Sequence, residues 1–338
     1  MAKQHEKHTA LRRPAYGTFH RNEWAFIGAP CGVIQDVTAR LIQALAPHFR
    51  LGYADADHAA GDSADAITPK ESHTVFTDKI DFHRLDTQVN HEFFQVRPWF
   101  HSVEGVLING NHFNGKRQIV ILDPRKQESL SRKLDKLTDV ALILTTDNQV
   151  QPYDFLKTHL EGRFPIMMPL GDINGIIQWM RAQFTAARPP LYGLVLAGGK
   201  SQRMGIDKGS IAYRGQLPQR EYVAQLMRTA CKEVFYSIRP GQENAPDGLC
   251  IEDTFAGLGP YGAILSAFRE YPDVAWLVIA CDLPFLDENT LQQLTANRSF
   301  SSVATAFHNA DTGCTEPFDY HLGTSSLPAD VGIFSAGI

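Results

Sequence analysis

Short apolar runs alternate along the chain with longer stretches in which apolar residues recur every three or four positions, and this rhythm is interrupted once and then restarts. In the first half, residues 24–28, 103–109, 118–122 and 140–145 are apolar runs bounded by turn residues, the pattern of buried strands. Residues 33–45 and 174–184 carry the helical period. The break falls at Ala186-Ala187-Arg188-Pro189-Pro190, where two prolines can neither donate to a ladder nor continue a helix. A second series follows: strands at 192–196, 234–238 and 276–280, with helices at 219–229 and 261–270. Fully apolar strands separated by amphipathic helices predict sheets covered on both faces. The expected fold class is therefore α/β, with two three-layer domains at residues 23–187 and 188–338. Residues 1–22, basic and without apolar periodicity, are expected to be a flexible arm.

Composition narrows this picture only slightly. With 338 residues, 43% hydrophobic and 20% charged, the chain has the make-up of globular protein and enough length for two cores. No apolar run approaches the ~20 residues needed to cross a bilayer, and the first residues have no apolar signal core, so no membrane partner and a cytoplasmic location are expected. Five scattered cysteines suggest neither a disulfide framework nor a zinc site. A net charge of −5 argues against a nucleic-acid surface, which needs clustered cations. An anionic ligand would have to be held by a local cluster.

One such cluster exists. In Leu194-Val195-Leu196-Ala197-Gly198-Gly199-Lys200-Ser201-Gln202-Arg203-Met204-Gly205-Ile206-Asp207-Lys208, a buried strand runs into two glycines that let backbone N–H groups approach an anion. Lys200, Arg203 and Lys208 then outweigh the single Asp207, as a triphosphate requires. A glycine turn with solvated charges is the plain alternative for two glycines alone. Further on, the run at 276–280 ends in Cys281-Asp282-Leu283-Pro284-Phe285. A carboxylate just past a strand end lies where open α/β sheets bind ligands and is suited to Mg²⁺, although Asp282 could also cap a turn before Pro284. Between these segments lie Ile251-Glu252-Asp253 and Gly257-Leu258-Gly259-Pro260-Tyr261-Gly262, which alone indicate only a turn before a helix.

Together these pieces, with Thr315-Glu316-Pro317, resemble the molybdenum cofactor guanylyltransferase family (MobA) within the wider nucleotidyltransferases, over about residues 192–317. The resemblance implies a Rossmann-like nucleotidyltransferase fold. It also implies transfer of GMP from GTP to molybdopterin with release of pyrophosphate, an EC 2.7.7 type activity with Mg²⁺ as cofactor. By the same resemblance Leu196, Ala197, Gly198 and Gly199 lie along the nucleotide, Lys208 meets its phosphates and Arg203 lies beside the triphosphate. Asp253 meets the guanosine part, and Asp282 binds both GTP and Mg²⁺. The catalytic set is Arg203, Lys208 and Asp282. Two other functions stay open: a CTP- or UTP-dependent nucleotidyltransferase acting on another phosphorylated acceptor, and a non-catalytic nucleotide-binding or adaptor protein.

The first domain is similar to the MobB family of GTP-binding adaptors over about residues 23–184, which implies a P-loop-NTPase-like fold. Its loop Ala29-Pro30-Cys31-Gly32-Val33-Ile34-Gln35 is degenerate, with neither Lys nor Ser/Thr after the last glycine, so GTP hydrolysis there is not expected. The domain is read as a docking or scaffold module, with molybdenum cofactor insertion or maturation proteins as partners. His58, His112 and Asp123 are read as surface or satisfied core groups rather than metal ligands. Residues 325–338 lack amphipathic periodicity, and the second domain is expected to lack the family's usual C-terminal helices, which bears on acceptor binding.

Overall fold

A computed structural model describes residues 12, 15–56, 74–78, 81–87, 89–147, 151–198, 211–213, 217–242, 245–255, 257–281, 283–307 and 331–334. The chain divides into two compact units, Tyr16–Ala186 and Ala187–Ile338, the latter joined by Met1–Ala15.

In the first unit the elements are β1 (Glu23–Ile27), α1 (Cys31–Leu45), β2 (Leu51–Ala54), β3 (Thr74–Asp78), β4 (His83–Thr87), α2 (Phe93–Val96), β5 (Gly105–Asn109), β6 (Arg117–Leu122), α3 (Gln127–Ser131), β7 (Val140–Thr145), α4 (Asp154–His159), β8 (Ile166–Pro169) and α5 (Ile173–Ala186). Six strands form a parallel sheet in the order β2-β5-β1-β6-β7-β8. The remaining two, β3 and β4, pair as an antiparallel ribbon. Strand alternation feeds two layers. Trp24, Phe26, Leu107, Ile119 and Leu142 meet α1 and α5 on one face. Ile27, Val120, Leu122 and Ile143 meet Leu130 of α3 and Leu156 of α4 on the other. The α/β reading holds here, with the first strand central and a glycine turn leading from it into α1.

Residues 15–22 are placed, not loose. Glu23 is 1% exposed, and its carboxylate accepts the N–H groups of Thr18, Phe19, His20 and Lys116 at 2.7, 2.7, 3.0 and 2.8 Å. Phe19 is buried, with edge contacts to Phe93, Phe100 and Phe113. A buried anion gathering main-chain donors, rather than any apolar period, orders this segment. The rest of the expected arm, residues 1–11, 13 and 14, lies outside the described residues. Arg12 stacks over Tyr271, 5.2 Å from its ring centroid.

The second unit contains β9 (Leu191–Leu196), α6 (Gln219–Met227), β10 (Val234–Ile238), β11 (Cys250–Glu252), α7 (Pro260–Glu270), β12 (Ala275–Ala280), α8 (Glu288–Ala296), β13 (Ala304–Ala306) and β14 (Val331–Phe334). Its sheet order is β11-β10-β9-β12-β14-β13. The first four strands are parallel, and β14 runs antiparallel to both β12 and β13. Val195, Tyr236, Leu277 and Ile279 pack on α6 and α8. Leu194, Phe235, Trp276 and Val278 point the other way, against Ala263, Ile264 and Ala267 of α7. Trp276 is fully buried and its Nε1 has no acceptor among the described residues. Burying ~200 Å² of indole at ~25 cal/mol per Å² contributes about 5 kcal/mol, which outweighs the ~1–3 kcal/mol cost of the orphaned donor. Residues 331–334, read from sequence as patternless, form an internal strand. A four-residue segment between two neighbours has too few positions to display a period.

Candidate functional site

The order β11-β10-β9-β12 makes a switch point. After β9 the chain steps outward through α6 to β10 and then to β11, and α7 carries it back to β12 on the opposite side of β9. In doubly wound sheets the ligand crevice opens at the carboxyl ends of the strands flanking such a reversal. Here those strands are β9 and β12, and Ala280 pairs with Leu196 at their ends. Gly198 and Cys281 therefore leave the sheet from adjacent strand ends, ~5 Å being the spacing of neighbouring strands. On the other flank Ser237 pairs with Leu196 and Ile238 with Glu252, so Arg239 and Asp253 emerge next in line.

Of the residues assigned from sequence, Leu196 is half-buried as the last residue of β9. Ala197 is buried and donates its N–H to the Ser237 carbonyl at 3.1 Å. At Gly198 a Cβ would lie 3.3 Å from both Cγ and N of Arg239. The glycine thus eases a tight approach of the β10 exit. Gly199, Lys200, Arg203, Lys208 and Asp282 lie outside the described residues.

The chain on the far side of position 282 is anchored. The buried Gln219, at the start of α6, donates its amide to the Leu283 carbonyl at 2.6 Å. Tyr222 donates to the Leu286 carbonyl at 3.2 Å, and Leu283 and Leu286 are buried. Nothing in the sequence marked Gln219 for this, since a glutamine opening a helix reads as solvated.

Asp253 is held by its own turn. Its N–H donates to the Ile238 carbonyl at 2.8 Å. Its Oδ1 accepts from Phe255 N at 2.9 Å and lies 3.2 Å from Ser266 Oγ. Ser266, 1% exposed on α7, also accepts from Thr254 N at 3.0 Å and lies 2.8 Å from the Gly262 carbonyl. One hydroxyl hydrogen serves Gly262 or Asp253 at any moment, while the lone pairs hold the turn. Gly262 explains part of the Gly-Pro-Tyr-Gly stretch: a Cβ there would sit 2.5 Å from the Phe255 carbonyl and 3.1 and 3.2 Å from the Asp253 carboxylate oxygens. Asp253 Oδ2 accepts no hydrogen bond from any described residue.

The corresponding corner of the first unit is filled differently. Pro30 precedes α1, and Cys31 Sγ lies 3.3 Å from His112 Nε2, which is 3.7 Å from Asp55. Burial pushes the Asp55 carboxyl up, but hydrogen bonds from Tyr53, Gln35, Asn109 and the Ala56 N–H prevail and hold it below the usual range. Burial raises the Tyr53 phenol, with the Asp55 carboxylate adding to the shift. Asp123 is buried under a two-pronged contact from Arg125, at 2.9 and 2.6 Å. That guanidinium holds its carboxyl below the usual range, against the opposing effect of burial. His112 and Asp123 thus have separate partners, His58 lies outside the described residues, and no metal-holding group of three or more His, Cys, Asp or Glu occurs among those described. Nor is any described helix long and apolar enough to cross a membrane.

The second unit is thus a doubly wound α/β fold in which Gly198, Arg239, Asp253 and Cys281 leave neighbouring strand ends at one switch point. Residues 193–330 match the family described as the MobA-like NTP transferase domain, and the C-terminal half carries such a domain. Over 136 residues the chain is 43% identical to a molybdenum cofactor biosynthesis bifunctional protein of Synechocystis sp., covering 38% of each. It is 33% identical over 116 residues to a molybdenum cofactor guanylyltransferase of Xanthomonas euvesicatoria, covering 34% of this chain and 59% of that protein. The aligned region thus spans 38% and 59% of these curated relatives. Among solved structures, MobB of Bacillus subtilis aligns with 48% of this chain and 97% of its own, at 9% identity and a TM-score of 0.38. A MobB homolog from Bacillus stearothermophilus aligns with 49% and 99%, at 12% identity and a TM-score of 0.35.

Proposed function

We propose that the second unit transfers GMP from GTP to the terminal phosphate of molybdopterin, releasing pyrophosphate. The observation that carries this reading is the pairing of Ala280 with Leu196, which brings Gly198 and Cys281, the residues that precede Gly199 and Asp282 in sequence, to one end of the sheet. In the reaction an oxygen of the ionised acceptor phosphate attacks the α-phosphorus of GTP, and the bond from that phosphorus to the α–β bridging oxygen breaks. No general base is required, because the nucleophile carries no proton to remove. Positioning and charge compensation then supply most of the rate.

Leu196, Ala197, Gly198 and Gly199 line the nucleotide in this reading, and Oδ2 of Asp253 accepts from the guanosine part. Arg203 and Lys208 offset charge on the departing pyrophosphate. Asp282, with phosphate oxygens of the nucleotide, supplies the hard oxygen donors that suit Mg²⁺, which is bound through few carboxylates and needs no all-protein cage. When bound, Mg²⁺ supplies Lewis-acid polarisation and a template for the phosphates. The first unit, with no lysine after Gly32, serves as a docking module for molybdenum cofactor insertion or maturation proteins.

A thermal-shift panel with GTP, ATP, CTP and UTP tests the base. Because a ligand that binds only the native state raises the Tm with its affinity, GTP should give the largest shift. A larger shift with CTP or UTP would replace guanylyl transfer by transfer from a pyrimidine nucleotide.

A further inference from the structure

Arg239 is absent from the site residues assigned above, yet its position singles it out. It follows β10 directly, between the exits of β9 and β11. Its backbone is fixed by reciprocal hydrogen bonds with Gln242: Arg239 N donates to Gln242 Oε1 at 3.1 Å, and Gln242 N donates to the Arg239 carbonyl at 3.2 Å. Its side chain starts across Gly198, whose missing Cβ leaves room for Arg239 Cγ at 3.3 Å. Among the described residues the buried Nε has no acceptor, and the guanidinium forms no ion pair or hydrogen bond. The side chain as a whole is half-buried, and a ligand acceptor would satisfy the Nε that solvent does not reach.

We propose that Arg239 reads the base of the bound nucleotide, donating to O6 and N7 of guanine while Asp253 accepts from the N1–H and 2-amino group. This rests on the nucleotidyltransferase reading above. Two observations favour the base over the phosphates. Arg239 stands on the side of Gly198 that faces Asp253, whose N–H is bonded to the Ile238 carbonyl at 2.8 Å. In addition, a donor fork and a carboxylate carried on neighbouring strand exits are complementary to guanine, which presents two acceptors on one edge and two donors on the next. Adenine reverses the 6-position to a donor, and cytosine offers a donor at position 4.

The test is calorimetric binding of GTP, ITP, 7-deaza-GTP and ATP to the full chain and to its Arg239→Ala and Arg239→Lys variants. Wild type should bind 7-deaza-GTP on the order of tenfold more weakly than GTP, the loss expected of one prong of a bidentate contact. In Arg239→Ala, GTP should weaken on the order of 10- to 100-fold and 7-deaza-GTP should bind as well as GTP. ITP should be weakened in wild type and variant by the same factor relative to GTP, since the 2-amino group belongs to Asp253. Arg239→Lys should stay weakened, because an ammonium cannot form the fork. Equal weakening of all four nucleotides would put Arg239 on the phosphates and overturn the proposal while leaving nucleotidyl transfer intact. Wild type binding 7-deaza-GTP as tightly as GTP would overturn it even if Arg239→Ala failed to fold. Absence of binding by every nucleotide to wild type would remove the nucleotidyltransferase reading, and this proposal with it.

Discussion

Replacing Gly262 by alanine sets two effects of opposite sign against each other. Alanine is favoured over glycine within a helix by about 1 kcal/mol, and position 262 lies in the first turn of α7. Against this, the new methyl would sit 2.5 Å from the carbonyl oxygen of Phe255 and 3.1 and 3.2 Å from the two oxygens of Asp253. The first contact is with backbone, so it cannot be relieved by a rotamer change, and overpacking of this kind costs ~1–3 kcal/mol. The expected net loss is about 0–2 kcal/mol, small beside the ~5–15 kcal/mol stability of a typical domain. The fold should survive while the 253–255 turn moves away from α7. A carboxylate hydrogen bond to a ligand contributes ~1.5–3 kcal/mol, so its displacement should weaken GTP binding about 10- to 150-fold. Urea unfolding and calorimetric GTP binding on one preparation separate the two effects. A variant that loses the expected stability but binds GTP like wild type would refute the role of Asp253 in nucleotide binding. One unchanged in both would refute the packing argument itself.

Other outcomes follow from the first unit. Gly28 has φ +98°, and a Cβ there would lie 2.6 Å from the Ile121 carbonyl, so Gly28→Ala should destabilise residues 16–186 by ~2–4 kcal/mol through combined strain and clash. Urea unfolding checks it, and a loss below 1 kcal/mol would contradict it. Burial, aided by Arg21 and His101 and opposed by the Asn22 backbone, lowers the His20 pKa from 6.5 to about 4. The unfolded chain therefore takes up this proton first as pH falls, so the contribution of His20 is complete above pH 6.5 and is lost on descending toward pH 4. Wild type should lose more stability than His20→Asn between pH 7 and pH 4.5, and parallel pH profiles would contradict this.

Much of the scaffold was legible in sequence because its strands are buried on both faces. The runs ending at Asn109, Leu122, Thr145, Leu196, Ile238 and Ala280 need no alternation to be recognised, and α1, α5, α6 and α7 show the helical period. The strands without a sequence signal are short or lie at an edge, and α8 (Glu288–Ala296) also went unread. β2 contains Gly52, β8 ends in Pro169 and β11 has three residues, so none displays a usable pattern. β3 does alternate in exposure, but its ribbon belongs to neither main sheet. The site divides along the same line. Gly198 and Asp253 stand in local motifs. Ser266 and Gly262 matter only because α7 folds back on Asp253, and Arg239 only because β10 lies beside β9. Such relations depend on strand order, and Ile238-Arg239-Pro240-Gly241 by itself reads as a turn.

Chemistry at the β9–β12 switch point carries the proposed activity, and pyrophosphate release measures it directly. With GTP, Mg²⁺ and molybdopterin, the full chain should release one pyrophosphate per guanine dinucleotide formed, and Asp282→Ala, still folded, should release none. Absence of pyrophosphate from wild type with molybdopterin demonstrably bound, or undiminished release by Asp282→Ala, would contradict it.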